Sequence, residues 1–160
     1  MKAVLGLGTN LGDREGNLAE AIGALEKLPR TRMTHMSNVY ETAPFDVPSP
    51  QGEYLNCCVA IETKLPPEEL LDKCLAIEAK LGRVRAEYHG ARTIDIDLLL
   101  YEGFESHTQR LAVPHPGIRQ RAFVLVPLSD LFPGCKADAF GFGFEEDYQA
   151  VDKSGIKLYK

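Results

Sequence analysis

Apolar positions along the chain recur at two periods, and each period predicts an element. Residues 2–8, Lys-Ala-Val-Leu-Gly-Leu-Gly, are an apolar run that predicts a buried strand ending in glycines. Thr9 to Asp13 reads as a turn, with Asp13 placed to cap a helix. In that helix Leu18, Ala21, Ile22, Leu25 and Leu28 keep helical spacing until Pro29 ends it. Thr31–Tyr40 predicts a second strand and Tyr54–Lys64 a third, with Leu55, Cys57, Val59 and Ile61 on one face. Between them Phe45 to Gly52, with Pro48 and Pro50, is a loop long enough to be functional. Pro66-Pro67-Glu68-Glu69 opens a second helix; its stripe is Leu70, Leu71, Cys74, Ile77 and Leu81, and Gly82 is its C-terminal cap. Residues 93–101 predict a fourth strand with Ile94, Ile96, Leu98 and Leu100 on one face. Asp95, Asp97, Leu99 and Tyr101 fall on the other. Ala122–Leu131 fits a short helix or a strand, since Pro127 disturbs either pattern. After Pro133 the pattern weakens. The chain therefore divides into a main unit, 1–134, and a segment, 135–160, that is either a packed extension or a tail.

The order β-α-β-β-α-β predicts a ferredoxin-like α+β sandwich, one antiparallel sheet with helices packed on one face. RNA-binding and regulatory modules share that layout, so it leaves function open. Composition narrows the choice. A net charge of −5 argues against a generic nucleic-acid binder. No apolar stretch is long enough to span a membrane, and the first strand begins almost at Met1. The four cysteines, Cys57, Cys58, Cys74 and Cys135, lack metal-ligand or C-x-x-C spacing and fit free thiols in a reducing compartment. One of the adjacent pair Cys57 and Cys58 is expected in the core. The expectation is a cytoplasmic monomer without nucleic-acid or membrane partners.

Candidate chemistry concentrates between Gly82 and Tyr101. Two carboxylates on one strand face, Asp95 and Asp97, repel each other and are expensive to bury. Hard divalent cations make such a pair favourable, with water and phosphate oxygens completing the shell. Asp-x-Asp alone is also found as two solvated strand residues. Here Arg83, Arg85 and Arg92 lie just upstream, and Arg110, Arg119 and Arg121 follow, a basic pocket on an acidic body suited to a magnesium-bound polyphosphate. The glycines near the N-terminus fit neither a dinucleotide fingerprint nor a P-loop, because position 11 is leucine and Gly12 precedes Asp13. A tight turn and close packing account for them. Tyr54 and Asn56 are either an exposed strand end or a holder for a flat heterocycle. Glu78, beside the stripe of the second helix, pairs with an arginine or binds a ligand. Pro114 and Pro116 hold His115 in a rigid loop.

Six stretches occur in order: Gly6-Leu-Gly-Thr-Asn-Leu-Gly-Asp13, Tyr40-Glu-Thr-Ala-Pro44, Tyr54-Leu-Asn56, Glu78-x3-Gly82-Arg-x-Arg85, Gly90-Ala-Arg-Thr-Ile-Asp-Ile-Asp97, and Pro114-His-Pro116 through Arg121-Ala-Phe-Val-Leu-Val-Pro-Leu128. With them the chain resembles the 6-hydroxymethyl-7,8-dihydropterin pyrophosphokinases of folate biosynthesis, from Val4 to about Pro133. The resemblance implies transfer of the diphosphoryl group of ATP to the pterin hydroxymethyl oxygen, with release of AMP. It implies Asp95 and Asp97 as ligands of two Mg2+ ions, and Arg83 and Arg92 as catalytic with them. Glu78, Arg85, Arg110, His115 and Arg121 would surround the nucleotide, and Thr42, Pro44, Phe45, Tyr54, Asn56 and Phe123 the pterin. Departures from the family pattern are Leu75, where a polar nucleotide contact is common, Ala91 in place of proline, and Tyr88 and His89 in place of tryptophan. The segment 83–92 is expected to close over bound substrates. The rival readings are a magnesium-dependent phosphohydrolase, which would need no Tyr54/Asn56 pocket, and a non-catalytic ferredoxin-like binding module.

Overall fold

The computed structural model describes residues 1–10, 12–42, 53–83 and 94–160, and of Arg83 the backbone alone. Strand β1 (Lys2–Thr9) runs straight through Gly6 and Gly8, and the turn comes later, at Gly12 with φ +63°. Helix α1 (Arg14–Glu26) begins where the Asp13 carboxylate accepts the Gly16 N–H at 3.0 Å. The expected second strand is two strands, β2 (Thr31–Met36) and β3 (Tyr40–Thr42). Both pair antiparallel with β4 (Tyr54–Thr63). Ser37 bridges the break: its N–H donates to Cys58 O at 2.9 Å and its Oγ accepts the Cys58 N–H at 2.9 Å. Helix α2 (Pro67–Arg83) includes Gly82 within its last turn instead of stopping before it. Strand β5 (Asp95–Tyr101) pairs antiparallel with the free side of β1.

A small hairpin, β6 (Ser106–His107) and β7 (Ala112–Val113), precedes α3 (Ala122–Leu131), so the helical alternative is realised there with Pro127 inside. Beyond it lie β8 (Lys136–Ala137), β9 (Phe142–Gly143), α4 (Glu145–Ala150) and β10 (Ile156–Leu158). Among the described residues the main sheet runs β10-β3-β4-β1-β5, with β2 also beside β4. The order β3-β4-β1-β5, antiparallel throughout, is the expected ferredoxin-like core.

The sheet is covered on both faces. Ala3, Leu5, Leu7, Leu55, Cys57 and Ile61 pack under α1 and α2 with Leu18, Leu25, Leu70 and Cys74. On the opposite face Val4, Cys58, Leu99 and Leu100 meet Ile118, Leu125, Leu128, Phe142 and Phe144. Helices on one face alone thus describe only half of the packing. The second cover comes from α3 and from the segment after Gly134, whose short elements leave little periodicity to read. It also buries Cys58, so that both adjacent cysteines are buried instead of one. Burial pushes the Cys57 and Cys74 thiols up to about 12 and Cys58 well above its usual value, so all three behave as small hydrophobes.

One register change corrects the pattern predicted for 93–101. Leu5 faces Leu98 but Val4 faces Leu100, leaving Leu99 as an extra residue in β5. The bulge reverses the faces beyond it. Leu100 joins Leu99 under α3, while Tyr101 turns toward the α1/α2 side and its hydroxyl donates to Leu65 O at 2.6 Å. No helix among the described residues is long and apolar enough to cross a membrane.

Phe144 is the test of how firmly the final segment packs, being 1% exposed between the sheet and its own neighbours. Phe144→Ala should cost about 3–5 kcal/mol in urea unfolding, the usual loss for a buried aromatic. A change below about 1 kcal/mol would describe a loosely attached tail.

Candidate active site

The cleft lies on the α3 face of the sheet, and its floor is made of missing side chains. In an antiparallel ladder, directly paired residues point to the same face. Gly8 pairs with Asn56 on β4 and with Asp95 on β5; Gly6 pairs with Cys58 and with Asp97. The two glycines therefore leave a trough along β1, with two carboxylates on one bank and an amide on the other. Substitution there requires a neighbouring side chain to shift, by more at Gly8 than at Gly6. A Cβ on Gly8 would stand 2.6 Å from Asn56 Oδ1, and one on Gly6 would stand 3.1 Å from Leu99 Cδ1. The cavity is about 230 Å³, and Gly6, Gly8, Thr42, Tyr54, Asn56, Asp95, Asp97, Arg121 and Phe123 are among its lining.

On the amide bank Asn56 is buried and its Nδ2 donates to Thr42 Oγ1 at 2.8 Å, which fixes the plane of the carboxamide. Thr42 is paired in register with Tyr54, so the three side chains come from two adjoining strands. Burial, and secondarily the charge of Asp95, raises the Tyr54 phenol above its ordinary value; it stays a hydroxyl donor at neutral pH.

On the acidic bank Asp95 and Asp97 flank Ile96, and both are half-buried. The Ile96 N–H donates to Glu78 Oε2 at 2.6 Å, tying α2 to β5 between the two carboxylates. That backbone partner has no sequence signature, and the sequence points only to an arginine or a ligand. Among the described residues no three His, Cys, Asp or Glu side chains converge on a metal-sized site.

The third wall is the start of α3. Arg121 is its N-cap residue, with its guanidinium carbon 5.8 Å from the Phe123 ring centre. Gly117 lets this arginine approach, since a Cβ there would lie 2.7 Å from the guanidinium carbon. His115 stands behind this wall, its backbone N–H donating to Leu99 O at 3.0 Å. Its ring Nδ1 accepts the Gly117 N–H at 3.0 Å, which leaves the proton on Nε2 of the neutral ring. Burial holds its pKa below the usual histidine range; Asp97 opposes that shift and Arg121 adds to it.

The structure thus brings Thr42, Tyr54, Asn56, Asp95, Asp97, Arg121 and Phe123 into one cleft. Glu78 and His115 adjoin it through the contacts just described. Arg110 does not line it: its guanidinium is held on α2 by Glu68 Oε1 at 3.0 Å and by Asp72. Pro44, Phe45, Arg85 and Arg92, the Arg83 side chain, and the expected closure of 83–92 with Tyr88 or His89 lie outside the described residues. The lining residues that the sequence does not point to are Gly6, Leu7, Gly8, Cys57, Cys58, Leu99 and Val124.

A family model described as 7,8-dihydro-6-hydroxymethylpterin-pyrophosphokinase matches residues 4–133. The 2-amino-4-hydroxy-6-hydroxymethyldihydropteridine pyrophosphokinase of Methylorubrum extorquens is 44% identical over 98% of this chain and 97% of its own. The Bacillus subtilis protein of the same name is 36% identical over 99% of this chain and 90% of its own. A crystal structure described as HPPK-DHPS in complex with substrates superposes with a TM-score of 0.69 at 14% identity, over 98% of this chain and 46% of that one; at this identity the likeness concerns the fold. By its family match and by relatives alike over nearly their whole lengths, this chain belongs to the 7,8-dihydro-6-hydroxymethylpterin-pyrophosphokinase family.

Proposed function

We propose that the protein transfers the β,γ-diphosphoryl group of ATP to the hydroxymethyl oxygen of 6-hydroxymethyl-7,8-dihydropterin and releases AMP. The observation that carries this reading is the trough itself. A phosphate-side bank of two carboxylates and a heterocycle-side bank of Asn56, Thr42 and Tyr54 face each other across Gly6 and Gly8. A hydrolase needs the first bank only; a transferase to a polar flat ring needs both.

The donor set fits a hard divalent cation. Asp95 and Asp97 share a cleft-facing strand face, and with no third protein ligand among the described residues the remaining positions suit water and phosphate oxygens. We assign two Mg2+ ions to this pair. Bound there, they would neutralise phosphate charge and polarise the phosphorus under attack. Glu78 keeps the carboxylates in place by holding the amide between them. Arg121 brings a fixed positive charge to the same cleft, and Arg83, Arg85, Arg92, Arg110 and neutral His115 are assigned to the nucleotide and its phosphates. Arg110 must exchange Glu68 and Asp72 for that role. On the other bank Asn56 offers an acceptor and a donor to the polar edge of the pterin, and Tyr54 and Phe123 supply aromatic surface, with Pro44 and Phe45 completing the pocket. In the reaction the hydroxymethyl oxygen loses its proton and bonds to the β-phosphorus, the bond from the β-phosphorus to the α,β-bridging oxygen breaks, and that oxygen leaves on AMP.

Incubation with ATP, magnesium and the pterin should yield AMP and a diphosphorylated pterin. ADP, or AMP and diphosphate without modified pterin, would defeat the proposal.

Asp95→Asn and Asp97→Asn should each lower turnover on the order of 10²-fold or more. Their unfolding temperature without magnesium should equal or exceed that of the parent, because one of two repelling charges is gone. Near-normal turnover at saturating magnesium would remove these residues from the metal site.

Asn56→Ala should weaken pterin binding by about 1–3 kcal/mol, the cost of an unsatisfied buried polar edge, and leave ATP binding nearly unchanged. Gly8→Ala should move in the same direction, since its Cβ meets Asn56 Oδ1 at 2.6 Å and must displace it. Isothermal titration with each ligand checks both, and equal losses for the two ligands would take Asn56 out of the pterin pocket.

A further inference from the structure

The family match ends at residue 133, yet the last five residues are bonded to the strand that delivers Thr42 to the cleft. Ile156, Lys157 and Leu158 pair in register with Thr42, Glu41 and Tyr40. The ladder is prolonged at Val39, whose N–H donates to Lys160 O at 3.1 Å and whose carbonyl accepts the Tyr159 and Lys160 N–H groups at 2.8 and 3.1 Å. Without β10, β3 would be a three-residue edge strand paired on one side only, with β4.

Side chains extend the connection to the other end of segment 43–52. Lys157 Nζ lies 4.0 Å from the Glu41 carboxylate and 3.9 Å from that of Glu53. Arg14 spans the same two residues, donating to Glu41 Oε2 at 2.8 Å and to Glu53 O at 2.9 Å, with Tyr159 stacked against it at 5.8 Å. Glu15 accepts from Tyr159 Oη at 3.2 Å and from Lys160 Nζ at 2.8 Å. The exposed lysine pairs contribute little energy one by one, and the half-buried Arg14–Glu41 pair is the firmest of the group. Their geometry is what matters: Glu41 precedes Thr42, and Glu53 precedes Tyr54. The backbone of both heterocycle-side residues is thereby referred to one C-terminal strap.

We propose that residues 156–160, with Arg14, are a positioning strap for the pterin side of the cleft, setting the spacing of Thr42 and Tyr54 and through Thr42 the carboxamide of Asn56. Among the described residues the strap's contacts toward the cleft run to Val39, β3, Arg14, Glu15 and Glu53, so its effect falls on one of the two ligands. This rests on the assignment of Thr42, Tyr54 and Asn56 to the pterin.

The test compares the full chain, a variant ending at Ser154, and Arg14→Ala in the full chain. Each is titrated with α,β-methylene-ATP in magnesium, in which the bond that must break is inert, and then with 6-hydroxymethylpterin on that complex. The truncated chain should bind the pterin roughly tenfold more weakly and the nucleotide within about twofold of the parent. Arg14→Ala should show the same one-sided loss at smaller size, and it alone decides if the truncated chain does not fold. Unchanged pterin affinity, or equal losses for both ligands, overturns the strap. A full-length chain that binds neither ligand overturns the function beneath it as well.

Discussion

The pairing of β1 between β4 and β5 is the constraint on which the site depends. A central strand normally presents a side chain at every second position, and here two successive positions on one face present none. The floor is therefore backbone, supported from below by the Leu5 and Leu7 side chains packed under α1 and α2. Backbone in a three-strand ladder is the stiffest surface this fold can offer. The two banks are carried by different strands, so their separation is set by the ladder spacing and not by loop conformation.

Electrostatics divides the cleft along the same line. The carboxylates stand on the outermost strand next to β1, and Glu78 satisfies the amide between them with another negative group. Three acids thus gather at one edge of the cleft. The opposite bank is neutral, built from hydroxyl, amide and phenol. Arg121 and half-buried His115 lie toward α3, where Asn38 N–H and Tyr40 Oη both donate to Asp130, at 3.1 and 2.7 Å, and moor that helix to β3. The helix that carries Phe123 is thus bonded directly to the strand that carries Thr42.

Much of this was legible in the sequence, and the parts that were not share a cause. Strict alternation placed Asp95 and Asp97 on one face, and Asp13, Pro29 and Pro66-Pro67 bounded the helices because capping chemistry is local. The expected ferredoxin-like order followed from those elements. Gly6 and Gly8 suit a strand end, a tight turn and close packing alike, because a glycine inside a strand looks the same in sequence as a glycine ending one. The break at Ser37 and the bulge at Leu99 depend on a partner strand far along the chain. Glu78 answers to a backbone amide, which every residue possesses. The aromatic run after Gly134 packs through elements of two or three residues, too short to show a period.

The interlock of Gly8 with Asn56 bears on how this pocket can change under selection. Escape from a competitive inhibitor commonly proceeds by adding bulk where the inhibitor rests. On this floor every added atom at position 8 is taken from the room of the Asn56 amide, the group proposed to meet the ring. An inhibitor seated on the glycine trough would therefore press where the chain has no cheap reply, and variation would be driven instead to the rim.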